Sequence, residues 1–465
     1  MKLSAEEIAC IDAVVAHLPD KISSRHGPMF SGNDEEQSLQ YFHEDNIFTG
    51  HGHFLGGEER IMRLKLQILQ LIADLFPKDE MNNRSIHKLG DGSYNMVVAI
   101  TLNPDTTQRD WRNTLKATVL KLLGISPIPE GLALRIPFDD DCEFTGPPTR
   151  CVPRDVATQH IVSTRLALPI PAIVKYDLHS QNALGRPYTL QTLLPGRNMH
   201  ELWTELNQQQ KVSAVQQITV IIEKTAALTT AAAGWISVSN LTSPSTEIAL
   251  DQFPVPSFRN EKRRKDFRQP SPLPAPHQTP YEYLVDRCER WQRYEKDVLH
   301  VRHNDNLWNA LIAVVNALDR RGWLGREFHL VHGDLFPRNI LVEIASARTV
   351  RITGIVDWDM ACFVPKFVAL CAPSWAWKGG FVDETDDDIA TYEPPAKNPK
   401  GLKEAFQQKA SDEFIRFGLS REGVIARKLF GVLSTGILSY DQRYLALELV
   451  EQWNALYPED RLGGK

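Results

Sequence analysis

The chain of 465 residues is poor in the features that mark several large classes of protein. Its six cysteines include no C-x-x-C pair, which argues against a disulfide scaffold or a zinc knuckle and favours a reducing compartment. The 52 basic and 58 acidic residues leave a net charge of −6, so no positive excess favours nucleic acid as a partner. No apolar run approaches the roughly 18 residues that span a bilayer, and the first residues carry acids where a secretory signal carries bases. The sequence therefore predicts a cytoplasmic protein that binds neither nucleic acid nor a membrane.

Several catalytic signatures are also missing. There is no G-x-x-x-x-G-K-[ST] segment, which excludes the Walker-type nucleoside triphosphatases. Neither H-E-x-x-H nor G-x-S-x-G occurs, which removes the common zinc-protease and serine-hydrolase patterns. The glycines Gly90 and Gly92 lack the third glycine of the dinucleotide-binding fingerprint.

The texture of the sequence divides the chain into three parts. Residues 1–83 contain amphipathic runs and are predicted to form a helical N-terminal extension. Residues 84–194 contain short apolar segments bounded by turn residues, which are typical of strands. Residues 195–465 are predicted to be mainly helical. Their Pro-rich segment 251–280 includes a basic run and is interpreted as a surface loop or linker rather than a nuclear address.

The strongest chemical signal is a long string around Asp334. It reads Val331-His-Gly-Asp-Leu-Phe-Pro-Arg-Asn-Ile-Leu-Val342 and is followed by Ile355-Val-Asp-Trp-Asp359. Asp334 and Asn339 are expected in a loop between apolar strand residues. A hairpin of the strands that follow would bring Asp357 back to the end of the hairpin where Asn339 lies. Two oxygen ligands and one further carboxylate are therefore expected to converge on one cleft.

These groups are the ones that phosphoryl transfer requires. Mg²⁺ prefers oxygen ligands and takes few of them from protein, and one further Asp can orient an attacking hydroxyl and accept its proton. Asp and Asn also cap ordinary turns, but the whole string is much harder to obtain by chance than a lone D-x-x-x-x-N. Upstream, the glycines of Leu89-Gly-Asp-Gly-Ser-Tyr-Asn95 would let backbone N–H groups approach a phosphate, although the same residues also suit an ordinary hairpin turn.

On these residues, the chain resembles the aminoglycoside phosphotransferase and choline kinase-like superfamily, especially its fungal-type branch. The resemblance covers roughly residues 84–380 and extends to the helical tail, and its most specific parts are His332-Gly-Asp334, Asn339 and Ile355–Asp359. It implies an α+β, protein-kinase-like fold of two lobes. The N-lobe is expected to be small and β-rich, and the C-lobe larger and mainly helical, here preceded by the helical N-terminal extension.

The resemblance also implies roles for residues of this chain. Asp334 resembles the catalytic base, Asn339 and Asp357 resemble the Mg²⁺ ligands, and His332 resembles a residue that orients the metal-binding Asp. The residues implied for the nucleotide site, which include the phosphate loop and the interlobe hinge, are Gly90, Gly92, Ser93, Gln191, Leu194 and Leu341.

Two positions depart from the family pattern, and a third is left open. Arg135 stands where kinases carry a phosphate-binding Lys, and Arg can still grip phosphate, although as a fork rather than a point charge. Asp155 stands where the helix partner is normally Glu, and its shorter side chain predicts a looser ion pair. Asp359 is interpreted either as a further metal ligand or as a structural residue.

The implied reaction is transfer of the ATP γ-phosphoryl group to a hydroxyl of a small, amine-bearing molecule with Mg²⁺ as cofactor, and GTP could serve in place of ATP. A protein kinase is disfavoured, because Gly333 replaces the Arg of H-R-D and no A-P-E follows. The alternative is a nucleotide-binding pseudokinase that acts as a regulatory or interaction module. The acids of 383–388, near Trp375, Trp377 and Tyr392, are either an amine-binding surface or an ordinary solvated loop.

Overall fold

The computed structural model describes residues 57–76, 84–91, 95–102, 131–137, 152–242, 246–255, 273–300, 302–378, 391, 393–394 and 396–462. All of these residues belong to a single compact unit. Most of the predicted N-terminal extension, the basic run of the Pro-rich segment and the acids of 383–388 lie outside the described residues. None of the described helices is at once long enough and apolar enough to span a bilayer.

The smaller lobe is built on a five-stranded antiparallel sheet with strand order β1-β2-β3-β5-β4. Its elements in chain order are α1 (Gly57–Leu75), β1 (Arg84–Asp91), β2 (Asn95–Leu102), β3 (Gly131–Pro137), α2 (Val152–Arg165), β4 (Ile173–Asp177) and β5 (Tyr188–Thr192).

The core of this lobe follows from the period of its strands and of α1. Burial alternates along β3, so Leu132, Leu134 and Ile136 enter the core while Arg135 lies on the opposite face. Helix α1 buries an apolar stripe that includes Ile72 against the same core. This helix falls within residues 1–83, yet it packs as part of the N-lobe.

The larger lobe is mainly helical, with short strands that carry the loops of interest. Its elements are β6 (Arg197–Asn198), α3 (Met199–Leu202), α4 (Gln208–Ala226), β7 (Thr229–Thr230), β8 (Gly234–Ile236), β9 (Leu250–Asp251), α5 (Pro280–Asp297), α6 (Asp305–Arg320), β10 (Phe328–Val331), β11 (Ile340–Ile344), β12 (Val350–Ile355), β13 (Cys362–Pro365), α7 (Lys366–Ala369), α8 (Trp375–Lys378), α9 (Lys397–Lys409), α10 (Asp412–Leu419), α11 (Arg421–Thr435) and α12 (Tyr440–Leu456). Together with the N-lobe sheet, this helical lobe confirms the predicted two-lobed, kinase-like α+β fold.

Local sequence signals account for several of these elements. Helix α5 begins at a capping box formed by Thr279 and Glu282, with Pro280 in its first turn. Helix α6 buries Leu311 and Val314 on one face, which places it in the core of the lobe.

Two sheets of the C-lobe position the loops around Asp334 and Asp357. Strand β10 pairs with β13 in a five-stranded sheet of order β7-β10-β13-β8-β9. Strands β11 and β12 form the predicted hairpin, in which Ile340 lies opposite Ile355, and β6 adds to it as a third strand. The hairpin therefore brings the residues before β11 and those after β12 to one end.

The Pro-rich segment is closed at its base. The backbone N–H of Gln252 donates to the carbonyl of Leu273 (2.7 Å), and that of Ala275 donates to the carbonyl of Leu250 (2.8 Å). The described residues at both ends of the segment therefore belong to the C-lobe.

Candidate active site

His332 joins the loop after β10 to the strand that leads to Asp357. The backbone N–H of Asp334 donates to His332 Nδ1 (3.2 Å), and His332 Nε2 lies 3.0 Å from the carbonyl of Val356. Because Nδ1 accepts, the proton is on Nε2 and the ring is neutral. Burial lowers the pKa of His332 to about 4, which keeps the ring in that form at neutral pH. The ring also packs on Trp358, at 4.4 Å between centroids.

Gly333 is the turn that lets the loop pass close to the opposite strand. Its φ is +81°, and a Cβ at this position would lie 2.2 Å from the carbonyl oxygen of Met360. No other residue fits there without moving the backbone. The replacement of the kinase Arg by Gly in this motif therefore has a local steric reason.

Both carboxylate oxygens of Asp334 are held by neighbours on the same loop. Asn339 Nδ2 donates to Asp334 Oδ2 (2.8 Å) and to the Asp334 carbonyl (2.7 Å). Arg338 Nη2 donates to Asp334 Oδ1 (2.7 Å). These contacts orient the carboxylate, and they direct the amide nitrogen of Asn339 toward Asp334 and its Oδ1 elsewhere.

Asp357 follows β12 in a strained backbone conformation. Its φ and ψ are 64° and 58°, in the left-handed region that non-glycine residues rarely adopt. The preceding residue is held firmly, because the Val356 N–H donates to the Asn339 carbonyl (3.0 Å) while the Val356 carbonyl faces His332. The side chain of Asp357 is 46% exposed. One hydrogen-bonded frame thus holds Asp334 against Asn339 and places Asp357 directly after a peptide unit that is bonded to Asn339 and His332.

Arg135 crosses from the N-lobe to this frame. Its Nη2 lies 3.0 Å from Asp357 Oδ1 and 2.6 Å from Asp359 Oδ2, and its Nη1 donates to Asp359 Oδ1 (3.1 Å). Burial alone would lower the pKa of Arg135, but attraction by Asp359, Asp357 and Asp155 outweighs it and raises the pKa above its ordinary value. The guanidinium therefore carries its charge between the two lobes.

Asp155 and Gln191 lie near Arg135 within the N-lobe. Asp155, in the first turn of α2, and buried Gln191, on β5, line a cavity together with Arg135 and Thr189. The charge of Asp155 acts on Arg135, and the guanidinium lies 2.6 Å from Asp359 Oδ2. Gln191 lines the same cavity as Arg135.

The side chains of Leu194, in the predicted hinge, and of Leu341, on β11, both lie against Gly354 of β12. A Cβ on Gly354 would lie 2.9 Å from Cδ1 of each. These two side chains offer an apolar surface of the kind that a nucleotide base packs on. In the same segment, the amides of Thr192 and Leu193 are already hydrogen-bonded to the carbonyls of Ala172 and Gly131, so neither can serve as the donor to a base.

The predicted phosphate loop begins at the end of β1 and continues toward β2. Gly90 lies at the end of β1, opposite Val97 and next to an irregularity in the register. Gly92 and Ser93 lie outside the described residues.

The oxygen donors fit a magnesium ion. The Asn339 amide nitrogen donates to Asp334, which leaves Asn339 Oδ1 as the atom that could bind a metal, and Asp357 has a half-exposed carboxylate just after β12. Amide and carboxylate oxygens are the protein ligands that Mg²⁺ takes.

Of the aromatic residues predicted for the acceptor surface, the structure describes Trp375 and Trp377. Trp377 is buried at 1% exposure and packs on Phe406 at 5.6 Å between centroids, so it is a core residue and cannot face an acceptor. Trp375 is partly exposed and packs edge-on against Trp203 at 5.6 Å. The acids of 383–388 and Tyr392 lie outside the described residues.

Sequence reasoning overlooked two residues of the site. Asn95, the first residue of β2, reaches Asp359 Oδ2 (3.4 Å), and Arg338 binds Asp334. Arg338 has a signal in the sequence, because it lies four residues after Asp334 in a single turn. Asn95 has none, because its contact spans 264 residues.

A comparison with models of known families assigns the chain to one of them. The family model described as the phosphotransferase enzyme family matches residues 132–366, slightly more than half of the chain. This range includes both lobes of the site, from Arg135 to Asp359. The chain therefore belongs to the phosphotransferase enzyme family. No curated protein matches it.

Among solved structures, the chain is similar to aminoglycoside phosphotransferases. The GDP complex of wild-type aminoglycoside 2'-phosphotransferase-IIIa is 16% identical with a TM-score of 0.39, over 84% of this chain and 99% of that chain. Aminoglycoside phosphotransferase APH(4)-Ia is 13% identical with a TM-score of 0.41, over 83% of this chain and 99% of that chain.

Proposed function

We propose that this protein transfers the γ-phosphoryl group of ATP to a hydroxyl of a small molecule, with amine-bearing alcohols as the first acceptors to test. The proposal is carried by one observation. One set of hydrogen bonds joins the Asp334 carboxylate to Asn339, and joins Val356, the residue before Asp357, to both Asn339 and His332. Membership of the phosphotransferase family supports the reaction class.

Each residue of the frame has a role in this reaction. Asp334, oriented by Asn339 and Arg338, would align the acceptor hydroxyl and accept its proton. Asn339 and Asp357 would hold Mg²⁺, which when bound supplies positive charge to the phosphates. Arg135 would neutralise phosphate charge from the N-lobe side. Neutral His332 keeps the two loops in register without titrating near pH 7.

The class of acceptor is proposed from features of the sequence. The absence of A-P-E from the sequence argues against a peptide substrate and therefore supports a small molecule. The amine group is proposed from the resemblance and from the acids of 383–388 alone, since Trp377 is committed to the core.

A nucleotide-binding regulatory module is the second candidate, and one contact favours it. Arg135 occupies Asp357, the same carboxylate that a catalytic metal requires. A protein that used its nucleotide only as a structural ligand could keep this ion pair permanently.

The test is Mg²⁺-dependent ATP turnover across a panel of amino alcohols and sugars, with wild type and Asp334→Asn compared. We expect wild type to phosphorylate a subset of acceptors and Asp334→Asn to lose at least about 100-fold in kcat, the scale of a lost general base. Negligible and equal turnover by both proteins would favour the regulatory module. Label that appeared only on polypeptide would instead identify a protein acceptor.

A further inference from the structure

Two carboxylates, two residues apart, bind the same guanidinium. Arg135 meets Asp359 as a fork, with Nη1 on Oδ1 at 3.1 Å and Nη2 on Oδ2 at 2.6 Å, and meets Asp357 through Nη2 alone at 3.0 Å. Two parallel contacts fix the plane of a guanidinium, whereas a single contact lets it turn. The geometry therefore makes Asp359 the orienting partner.

Burial separates the two carboxylates in the same way. The side chain of Asp359 is 14% exposed and that of Arg135 is 11% exposed, whereas Asp357 is 46% exposed. Asn95 Nδ2 also approaches Asp359 Oδ2 (3.4 Å), so residues from two N-lobe strands meet on this one carboxylate. Asp357, the more exposed carboxylate, can exchange Arg135 for a metal ion. Asp359, the more buried carboxylate, is placed to keep its pairing with Arg135.

The helix acid is a weaker candidate for the same task. Asp155 lies near Arg135, but its attraction ranks below those of Asp359 and Asp357. Helix α2 is itself tied to the C-lobe, because Arg154 lies 3.6 Å from Asp251 and Arg165 donates to the Thr246 carbonyl (3.2 Å). The placement of this helix therefore does not depend on an ion pair with Arg135.

We propose that Asp359 is the positioning residue for Arg135. It holds the guanidinium at the lobe interface and keeps it there when Asp357 gives up Arg135 to bind Mg²⁺. This inference rests on the proposed function for the phosphate that Arg135 then meets. It assigns to Asp359 the task that the helix carboxylate performs in the family pattern.

The first experiment measures the pairing without any ligand. Asp359→Asn, Asp155→Asn and Arg135→Lys are made singly, and each Asn variant is also combined with Arg135→Lys, which retains the positive charge but loses the fork. We expect the losses of thermal stability to be non-additive for residues 359 and 135 and additive for residues 155 and 135. Glu343→Gln, which breaks an exposed pair with Arg351, is the control for a generic change of carboxylate to amide.

The second experiment measures ATP affinity in EDTA, where no metal contributes. Removal of a negative charge should by itself strengthen ATP binding, so a loss of affinity would report lost positioning of Arg135. We expect Asp359→Asn to weaken metal-free ATP binding by about tenfold in the wild-type background and to cause no loss of affinity once Arg135→Lys is present. Glu343→Gln should bind ATP as wild type does.

The outcomes separate this inference from its rivals. If Asp359 is a metal ligand, Asp359→Asn will raise the Mg²⁺ concentration for half-maximal activity and leave metal-free ATP binding intact or stronger, which overturns the proposal. Non-additivity between residues 155 and 135 in place of 359 and 135 also overturns it. If wild type binds no nucleotide while the stability cycle still couples 359 to 135, the proposed function fails and the ion pair is purely structural.

Discussion

Val356 is the residue through which the Asp334 loop and the segment that leads to Asp357 are joined. Its N–H donates to the Asn339 carbonyl and its carbonyl accepts from His332, so two separate segments meet on one peptide unit. The strained backbone of Asp357 follows directly. These hydrogen bonds hold the left-handed backbone of Asp357, which would cost free energy without them. Strained residues that are held in this way occur often at functional sites, where side-chain positions must be fixed.

We expect protonation of His332 to make the protein less stable as the pH falls from about 6.5 to about 4. The pKa of the ring is about 4 when folded and near 6.5 when unfolded, so within this window the unfolded chain binds a proton that the folded chain does not. Stability should therefore rise with pH there, by up to about 1.4 kcal/mol per unit from this ring. Urea unfolding of wild type at several pH values measures the slope.

The His332→Asn variant should be less stable at pH 7 and show a flatter slope between those pH values. His160→Gln, which changes an exposed histidine, is the matched control and should keep the wild-type slope. An unchanged slope in His332→Asn would mean that other groups cause the acid sensitivity.

Gly333→Ala should destabilise the protein by about 2 kcal/mol or more, because the new Cβ meets the Met360 carbonyl and the backbone is left-handed. Gly431→Ala is the matched control, since nothing lies within 4 Å of its added Cβ in the middle of α11. It should raise stability by up to about 1 kcal/mol. Urea denaturation of both variants gives the comparison, and equal effects would contradict the steric argument.

At the scale of elements, the hairpin β11–β12 is the part that sets the site. Its register places Ile340 opposite Ile355, so the residues that flank the hairpin, Asn339 and Val356, are adjacent. Helix α1 is the least expected element, because it lies within residues 1–83 and yet completes the core of the N-lobe.

We expect Ile72→Ala in α1 to cost about 2–5 kcal/mol of unfolding free energy, the range for deletion of a fully buried Ile side chain. Leu66→Ala on the same helix is the control, since Leu66 is 43% exposed and its loss should cost below about 0.5 kcal/mol. Chemical denaturation measures both. If the two substitutions cost the same small amount, α1 is not part of the folding unit.

At the scale of the whole molecule, charged side chains link the two lobes where the reaction is proposed to occur. Arg135 and Asn95 extend from the N-lobe sheet to Asp359. In the proposed function, Mg²⁺ would take Asp357 from Arg135 while Arg135 keeps its contact with Asp359, so a group that connects the lobes would change one of its partners. Ligand binding and the stability of the interface should therefore be coupled.

ATP with Mg²⁺ should raise the melting temperature of wild type, since a ligand at 100 times its Kd adds about 2.7 kcal/mol of stability. Asp357→Asn should retain the shift that ATP produces in EDTA but lose the increment that Mg²⁺ adds. Differential scanning fluorimetry with and without EDTA distinguishes the two parts. The same Mg²⁺ increment in Asp357→Asn would place the metal elsewhere.

Local pattern was sufficient for much of this protein. The string from Val331 to Val342 and the acids that follow β12 are close in sequence, and short-range hydrogen bonding forms the hairpin between them. Short apolar segments bounded by turn residues likewise indicated strands within residues 84–194. Such features were predictable because spacing along the chain determines them.

Other features depended on how distant segments pack. The contact between Arg135 and Asp359 spans 224 residues, and no local spacing states whether a guanidinium will meet that acid or the nearer Asp155. The burial of Trp377 shows that this residue belongs to the core, which the sequence did not indicate. The packing of α1 against the N-lobe sheet likewise shows that the core of this lobe includes residues before β1. Spacing along the chain was enough to single out Asp334, Asn339 and Asp357 as candidates, whereas the partners of Arg135 and the contribution of Asn95 followed from the packed lobes, because pairing energies depend on distance and burial.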